Sequence, residues 1–242
     1  AGGGAGEGFN LAHSLGGRNI NDPRSAEQGG LYDGYGQNTM PSTVYNMFAE
    51  GDTRREGTII VYADEAKKVQ DLVAAGELPA GSTFAVSSEQ ENYEGLGHYK
   101  LHPRKESTSA VDAGNNHYNS WRIYRYADVL LMAVELEARM NGSVSTAAQG
   151  WFDQIRDRAF GDTNHRISLS GKTKDEILEI IFDERGYEFM DEMQRWFDIM
   201  RFDKGTEILA SKGWTEKYRY FPICQSEIDR SKGGLTQNKA WL

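Results

Sequence analysis

An apolar run in the second half of this chain would, as a helix, have two apolar faces. Residues 121–139 have the sequence WRIYRYADVLLMAVELEAR, the longest apolar-rich run in the chain. One stripe at helical spacing consists of Ile123, Ala127, Leu130, Leu131, Val134 and Ala138. A second stripe, on the opposite flank, consists of Tyr126, Val129, Ala133, Leu136 and Met140. Because a helix lying on a surface would expose one of these faces, we expect this helix to be packed on both sides.

The segment that follows predicts a second helix running back along the first. Asn141-Gly142 is a turn sequence, and either Ser143 or Ser145 can cap the next helix. Gly161 ends that helix. Its single apolar stripe consists of Val144, Ala147, Ala148, Trp151, Phe152, Ile155 and Ala159. The two segments therefore predict an antiparallel helix pair.

A third helical segment begins with a capping-box pattern. Thr173 is followed three residues later by Glu176 and then by the apolar residues Ile177, Leu178, Ile180 and Ile181. Near residues 190–192 we expect the chain either to bend or to continue into a further helical stretch, which ends at Gly205. The face of that helix consists of Met193, Trp196, Phe197 and Met200.

The residues before position 121 predict loops with a few short elements. Most of the 27 glycines lie there. The predicted elements are a helix over residues 44–49 capped by Ser42 or Thr43, a strand over residues 58–62, and a helix over residues 64–75 that ends near Gly76. From there to position 121 no periodic segment is longer than a few residues. A loop region this long is typically functional, and its aromatic content argues against disorder.

Charge and cysteine content exclude several classes of function. The net charge of −9 argues against a nucleic-acid partner or an anionic membrane surface. Cys224 is the only cysteine, so no disulfide can form within the chain. No P-loop, metalloprotease or nucleophile-elbow motif occurs, and we expect no cofactor and no metal.

Glu184 and Glu188 lie four residues apart, which places both carboxylates on one helix face. A glycosidase would use two carboxylates in this way. However, the face continues the apolar stripe of Ile177 and Ile181, so we expect both glutamates to be half-buried and structurally paired. The available partners are Arg156, Arg158, Arg185 and Arg195. The structural interpretation is favoured over a catalytic one.

His98 and His102 also lie four residues apart. A zinc pair would need a helix to hold this spacing and a third ligand. Pro103 and the glycines around His98 argue against a helix, so we expect loop histidines without a metal.

Aromatic and amide side chains are concentrated in the loops. Sugar rings have flat C–H faces that aromatic rings cover, and hydroxyl groups that amides can meet with both donors and acceptors. The loops supply both kinds of group, and as a set they predict a binding surface. The candidate ligand-binding residues are Tyr32, Tyr35, Asn92, Tyr93, His98, Tyr99, Asn115 and Asn116.

Several segments, taken in order, resemble the C-terminal half of the SusD/RagB family. They are RYADVLLMAVELEARMNG, the run IRDRA at residues 155–159, DEILEIIFDERGYEFMDEMQRWFDIMR, FPICQSEIDR and LTQN. The upstream segments MPSTVYNMF and DTRREGTI resemble the family more loosely. Two departures occur: the family's Pro-Ile-Pro is Pro222-Ile223-Cys224 here, and the end of the first helix is less alanine-rich.

The resemblance implies a mainly α-helical fold in which tetratricopeptide-like helix pairs carry a large irregular region. We expect a loop-rich ligand-facing region over residues 1–120, a helical core over residues 121–205, and an extended packing segment over residues 206–242. Family members are surface-exposed outer-membrane lipoproteins of Bacteroidetes. The resemblance therefore implies lipid anchoring through a segment absent from this chain. It also suggests that an N-terminal portion of the same protein, or another chain, completes the helical array.

The function that the resemblance implies is capture of an oligomeric nutrient. A glycan is favoured, and the nutrient would be delivered to a SusC-like TonB-dependent transporter without covalent chemistry. Three alternatives stay open. They are binding of an oligopeptide, a helical scaffold that binds only proteins, and a hydrolase that uses Glu184 and Glu188.

Overall fold

A computed structural model of the chain describes residues 14–89, 92–107 and 122–242. These residues are mostly helical, as predicted, and the chain divides into two compact units, Ala1–Glu192 and Met193–Leu242. In the first unit the elements are α1 (Ser42–Tyr45), α2 (Arg54–Thr58), β1 (Ile59–Val61), α3 (Tyr62–Ala74), β2 (Leu96–His98), α4 (Tyr126–Asn141), α5 (Thr146–Phe160) and α6 (Lys174–Glu188). In the second unit they are α7 (Arg195–Arg201), α8 (Gly205–Leu209) and α9 (Gln225–Arg230). In the part of the chain described, no helix has the length and apolar character needed to cross a bilayer.

Helices α4, α5 and α6 form the helical layer of the first unit. Helix α4 packs against both α5 and α6. The side chains between them are apolar and buried, and they include Leu131, Val134, Phe152, Ile155, Ile177 and Ile181. Each comes from a predicted stripe at helical spacing, so the 3.6-residue period identified these buried positions.

Helix α4 differs from the prediction at its start and on its second face. It begins at Tyr126, because Arg125 has an extended backbone with φ −149° and ψ 166° and serves as the N-cap. Ile123 precedes the helix and is exposed, so it does not belong to the buried stripe. The second stripe has four exposed residues, Tyr126, Val129, Leu136 and Met140. The residues that the structure describes therefore cover α4 on one face only.

The ends of α5 and α6 follow the sequence signals. The Ser145 hydroxyl, and not that of Ser143, accepts a hydrogen bond from the Ala148 amide at 3.1 Å. Gly161 ends α5 in the left-handed region with φ 72°. The predicted capping box between Thr173 and Glu176 is present at the start of α6.

The first half of the chain contains features that its sequence did not predict, among them helix α2, which lies where the run of charges suggests a turn. Strand β1 was expected, but it pairs antiparallel with β2, with Ile59 opposite His98. Strand β2 is three residues long with a central glycine, so it carries no alternating pattern to recognise. Helix α1 is shorter than predicted, and neither Ser42 nor Thr43 caps it, because Pro41 is the N-cap residue.

The second unit corrects the predicted helix end. Helix α7 stops at Arg201, and Gly205 begins α8 instead of ending α7. A Cβ at Gly205 would lie 2.4 Å from the ring of Trp214, so this glycine serves close packing. The C-terminal segment bonds to itself, with the Trp241 indole donating to the Tyr220 carbonyl at 2.7 Å.

Candidate functional site

Two loop segments that carry most of the candidate ligand-binding residues lie side by side. The first loop segment is residues 31–39 and the second is residues 92–104. The Tyr32 amide donates to the Pro103 carbonyl at 2.9 Å, and the Thr39 hydroxyl donates to the Asn92 carbonyl at 3.2 Å. The structure therefore brings together residues that are about sixty positions apart in the chain.

Two of the candidate tyrosines are anchored in a small core beneath these segments. Tyr93 and Tyr99 pack against a buried cluster of Leu31, Ile60 and Tyr62. The Tyr93 ring is stacked on the Tyr62 ring with centroids 6.2 Å apart, and burial raises the pKa of Tyr93. Both residues are only half-buried, so each combines a structural contact with an accessible part.

The Tyr99 ring is also covered by a cation. The Arg104 guanidinium lies 4.2 Å from its centroid and donates a hydrogen bond to the Tyr99 carbonyl at 3.3 Å. This contact orients the Tyr99 ring within the second loop segment.

The other candidates differ in exposure. Tyr32 is half-buried, Tyr35 is 47% exposed, and Asn92 is exposed with a left-handed backbone at φ 58°. Asn115 and Asn116 lie outside the described residues. A ligand role for each candidate stays a prediction.

His98 is buried, and both of its ring nitrogens have protein partners. Nδ1 lies 2.7 Å from an Asp191 carboxylate oxygen, and Nε2 lies 3.1 Å from the Asn38 carbonyl. It thus links the first loop segment to the turn after α6. His102 is fully buried, and burial lowers its pKa to about 3, which keeps its ring neutral.

Glu184 and Glu188 are fully buried instead of half-buried, and each is paired with arginines. Glu184 accepts from Arg54 at 2.6 Å and from Arg156 at 2.8 Å. Glu188 accepts from Arg54 at 3.2 Å, from Arg125 at 2.5 Å and from Arg158. These contacts tie α2, α5 and α6 together.

The predicted partners were partly right. Arg156 and Arg158 pair with the two glutamates, whereas Arg185 pairs with Asp128 at 3.0 Å. Arg54 and Arg125 were missed as partners. Arg54 lies in a run of charges that is typical of an exposed turn, and only its burial identifies it as part of the network.

The charges of the arginines determine the protonation of Glu188. Burial by itself would raise the Glu188 pKa, but the positive charges of Arg125 and Arg158 outweigh burial and lower it to about 2. The carboxylate is therefore ionised at neutral pH. A general acid must carry a proton at the working pH, so this environment is unsuited to that role.

The sequence of this chain is similar to those of known proteins. The SusD family profile matches residues 27–241. The chain belongs to the SusD family. A SusD-like protein, P25, from Formosa agariphila is 31% identical over 132 residues, which are 53% of this chain and 24% of that protein.

Solved structures of SusD-like proteins have the same fold. Surface glycan-binding protein A from Bacteroides thetaiotaomicron, solved in complex with laminarihexaose, is 25% identical with a TM-score of 0.71. The match covers 96% of this chain and 46% of that one. Surface glycan-binding protein A from Bacteroides fluxus is 27% identical with a TM-score of 0.68. That match covers 96% of this chain and 46% of the B. fluxus protein. The chain thus spans less than half the length of these relatives.

Proposed function

We propose that this SusD-family chain binds an oligosaccharide through the two loop segments. The supporting observation is their apposition, which places Tyr32, Tyr35, Asn92, Tyr93 and Tyr99 in adjoining stretches of chain. An oligosaccharide needs aromatic rings that pack on the faces of its sugar rings and amide groups that form hydrogen bonds with its hydroxyls. Family relatives named as glycan-binding proteins support the same assignment.

The first ligand to test is laminarihexaose, which occupies a related structure. An oligopeptide is the second candidate within the family. It would be held by backbone hydrogen bonds and would depend little on aromatic stacking. A helical scaffold that binds only proteins is the candidate from another class, and it would bind neither kind of ligand.

The proposed role is binding without catalysis. Glu184 and Glu188 support it because arginines occupy both carboxylates and burial shields them from a substrate. A glycan-hydrolysing activity that is lost in Glu184→Gln, with the variant still folded, would count against this role.

The binding chain is proposed to serve nutrient uptake at the outer-membrane surface. Its partner would be a SusC-like TonB-dependent transporter, and its anchor a lipid on a segment absent from this chain. The N-terminal portion of the same protein, or another chain, would cover the exposed stripe of α4. Recovery of such a transporter with the protein from native membranes would support the pairing, and recovery of the protein alone would contradict it.

Binding of laminarihexaose to loop variants tests the proposal by titration calorimetry. Tyr35→Ala suits this test because the residue is exposed, so the change leaves the core intact. Asn92→Gly removes the amide and keeps the backbone, since glycine adopts positive φ without strain. We expect each change to weaken binding by roughly fivefold, which corresponds to about 1 kcal/mol.

The matched control is Tyr124→Ala, which removes another exposed tyrosine, one that lies outside both loop segments. Its affinity should equal that of the unmodified chain. Equal affinity in all three variants would remove the loop segments from the binding site. Binding of peptides in place of oligosaccharides would favour the second candidate.

A further inference from the structure

A cavity of about 400 Å³ lies in the first unit, beside the arginine–glutamate network, and most of the residues that line it are charged. It is lined by residues of α2 and α5, by the segment before α4, and by the chain around the end of α6. Its volume falls within the range of small-molecule sites and suits one sugar unit. The charged side chains that line it are Arg54, Lys100, Arg122, Arg125, Arg158, Glu188 and Glu192.

Three cations of the cavity lining, Arg54, Lys100 and Arg125, form ion pairs with carboxylates. Arg125 donates to Glu192 at 2.7 Å as well as to Glu188, and Lys100 donates to Glu192 at 2.9 Å. Arg54 is matched by Glu184 and by Asp52, which lies 2.7 Å from its guanidinium. These groups form a rigid, hydrogen-bonded floor.

Two arginines of the lining add positive charge beyond this floor. Arg158 reaches Glu188 with one terminal nitrogen, and its side chain is 55% exposed. Arg122 is exposed. A guanidinium has five N–H donors in a planar fork, so Arg158 retains donors for a further acceptor. Because the carboxylates match the other three cations of the lining, the positive charge that faces the cavity comes from Arg122 and the exposed part of Arg158, and an anion is the complementary ligand.

One segment of the chain connects the cavity to the proposed glycan surface. Tyr99 packs against the Tyr62 core, whereas Lys100, the next residue, donates to the carbonyls of Glu188 and Met190 at 3.0 Å. The second loop segment thus contributes to both places.

We propose that this cavity binds an acidic sugar unit, with Arg122 and Arg158 holding its carboxylate or sulfate group. The proposal rests on the proposed glycan-binding function and adds a ligand class to it. A charge-assisted pair with a planar guanidinium would favour the acidic unit over its neutral counterpart.

The test compares glucuronate with glucose by NMR titration at constant ionic strength, because screening would otherwise alter the comparison. We expect glucuronate to bind at least about tenfold more tightly than glucose. Arg122→Gln and Arg158→Gln should each remove this preference. Arg122→Gln is the decisive variant, since the residue is exposed and its replacement leaves the buried network intact. Arg230→Gln, an exposed arginine outside the cavity lining, should preserve the preference.

Equal binding of glucuronate and glucose would overturn the proposal, as would a preference that survives in Arg122→Gln. An acidic side chain from elsewhere in a longer form of the protein could also occupy the cavity. In that case glucuronate would bind the 242-residue chain and not the longer form, which would overturn the proposal too. Laminarihexaose is uncharged and reports on the loop segments separately, so its failure would count against the proposed function and not against this cavity.

Discussion

Single side chains connect distant parts of the first unit through charge. Arg54 contacts Glu184 and Glu188, more than a hundred residues further along the chain. Removing one partner of such a buried pair leaves an uncompensated charge, which costs about 3–5 kcal/mol. The network therefore places strong constraints on the arrangement of α2, α5 and α6.

Glu188 predicts a pH dependence of stability. Its pKa is about 2 in the folded chain against 4.5 for an unperturbed glutamate, so folding favours the ionised form. This contribution is complete above pH 4.5 and is lost as the pH falls toward 2. Its size is about 3–4 kcal/mol, since the pKa differs by about 2.5 units and one unit corresponds to about 1.4 kcal/mol.

Urea unfolding of the chain at pH 7, 4 and 3 measures this contribution. We expect Glu188→Gln to be less stable at pH 7 and to lose less stability on acidification. Glu50→Gln, at an exposed glutamate, should behave like the unmodified chain. An equal acid-induced loss in the chain and in Glu188→Gln would show that another group is responsible.

Among the elements, those with local signals were predictable and those made by long-range pairing were not. Helices α5 and α6 have a cap, an apolar period and, for α5, a closing glycine within one stretch of sequence. Strand β2 has none of these, because it exists only through its pairing with β1. The candidate tyrosines were recognisable from composition, but their apposition depends on contacts between segments about sixty residues apart.

The two serines before α5 offer a direct test of cap assignment. Ser145→Ala should lower the free energy of unfolding by about 1 kcal/mol, because its hydroxyl accepts from the Ala148 amide and also donates to Glu137. Ser143→Ala should change it by less than about 0.5 kcal/mol, since Ser143 is exposed and precedes the cap. Thermal unfolding followed by circular dichroism measures the stability of both variants. Equal losses of stability in the two variants would contradict the assignment of Ser145 as the cap.

At the scale of the whole molecule, the second apolar stripe of α4 is left exposed by the described residues. The stripe of α4 contains Leu136, which is 58% exposed. If a further segment covers this stripe, a charge introduced there would be tolerated in the 242-residue chain and harmful in a longer form.

Leu136→Lys is therefore expected to change stability by less than about 0.5 kcal/mol in this chain and to cost about 2–4 kcal/mol in a longer form. The control, Gln154→Lys at an exposed position of α5, should be neutral in both forms. Denaturant unfolding of the two lengths provides the comparison. Equal tolerance of Leu136→Lys in both lengths would mean that the stripe stays in water.

We propose that residues 31–39 and 92–104 together form the glycan-binding surface. Amide hydrogen exchange, measured with and without laminarihexaose, tests it most directly because each segment is observed separately. We expect slower exchange in both segments when the sugar is present, with little change in α5. Protection confined to other parts of the chain, despite saturating sugar, would contradict it.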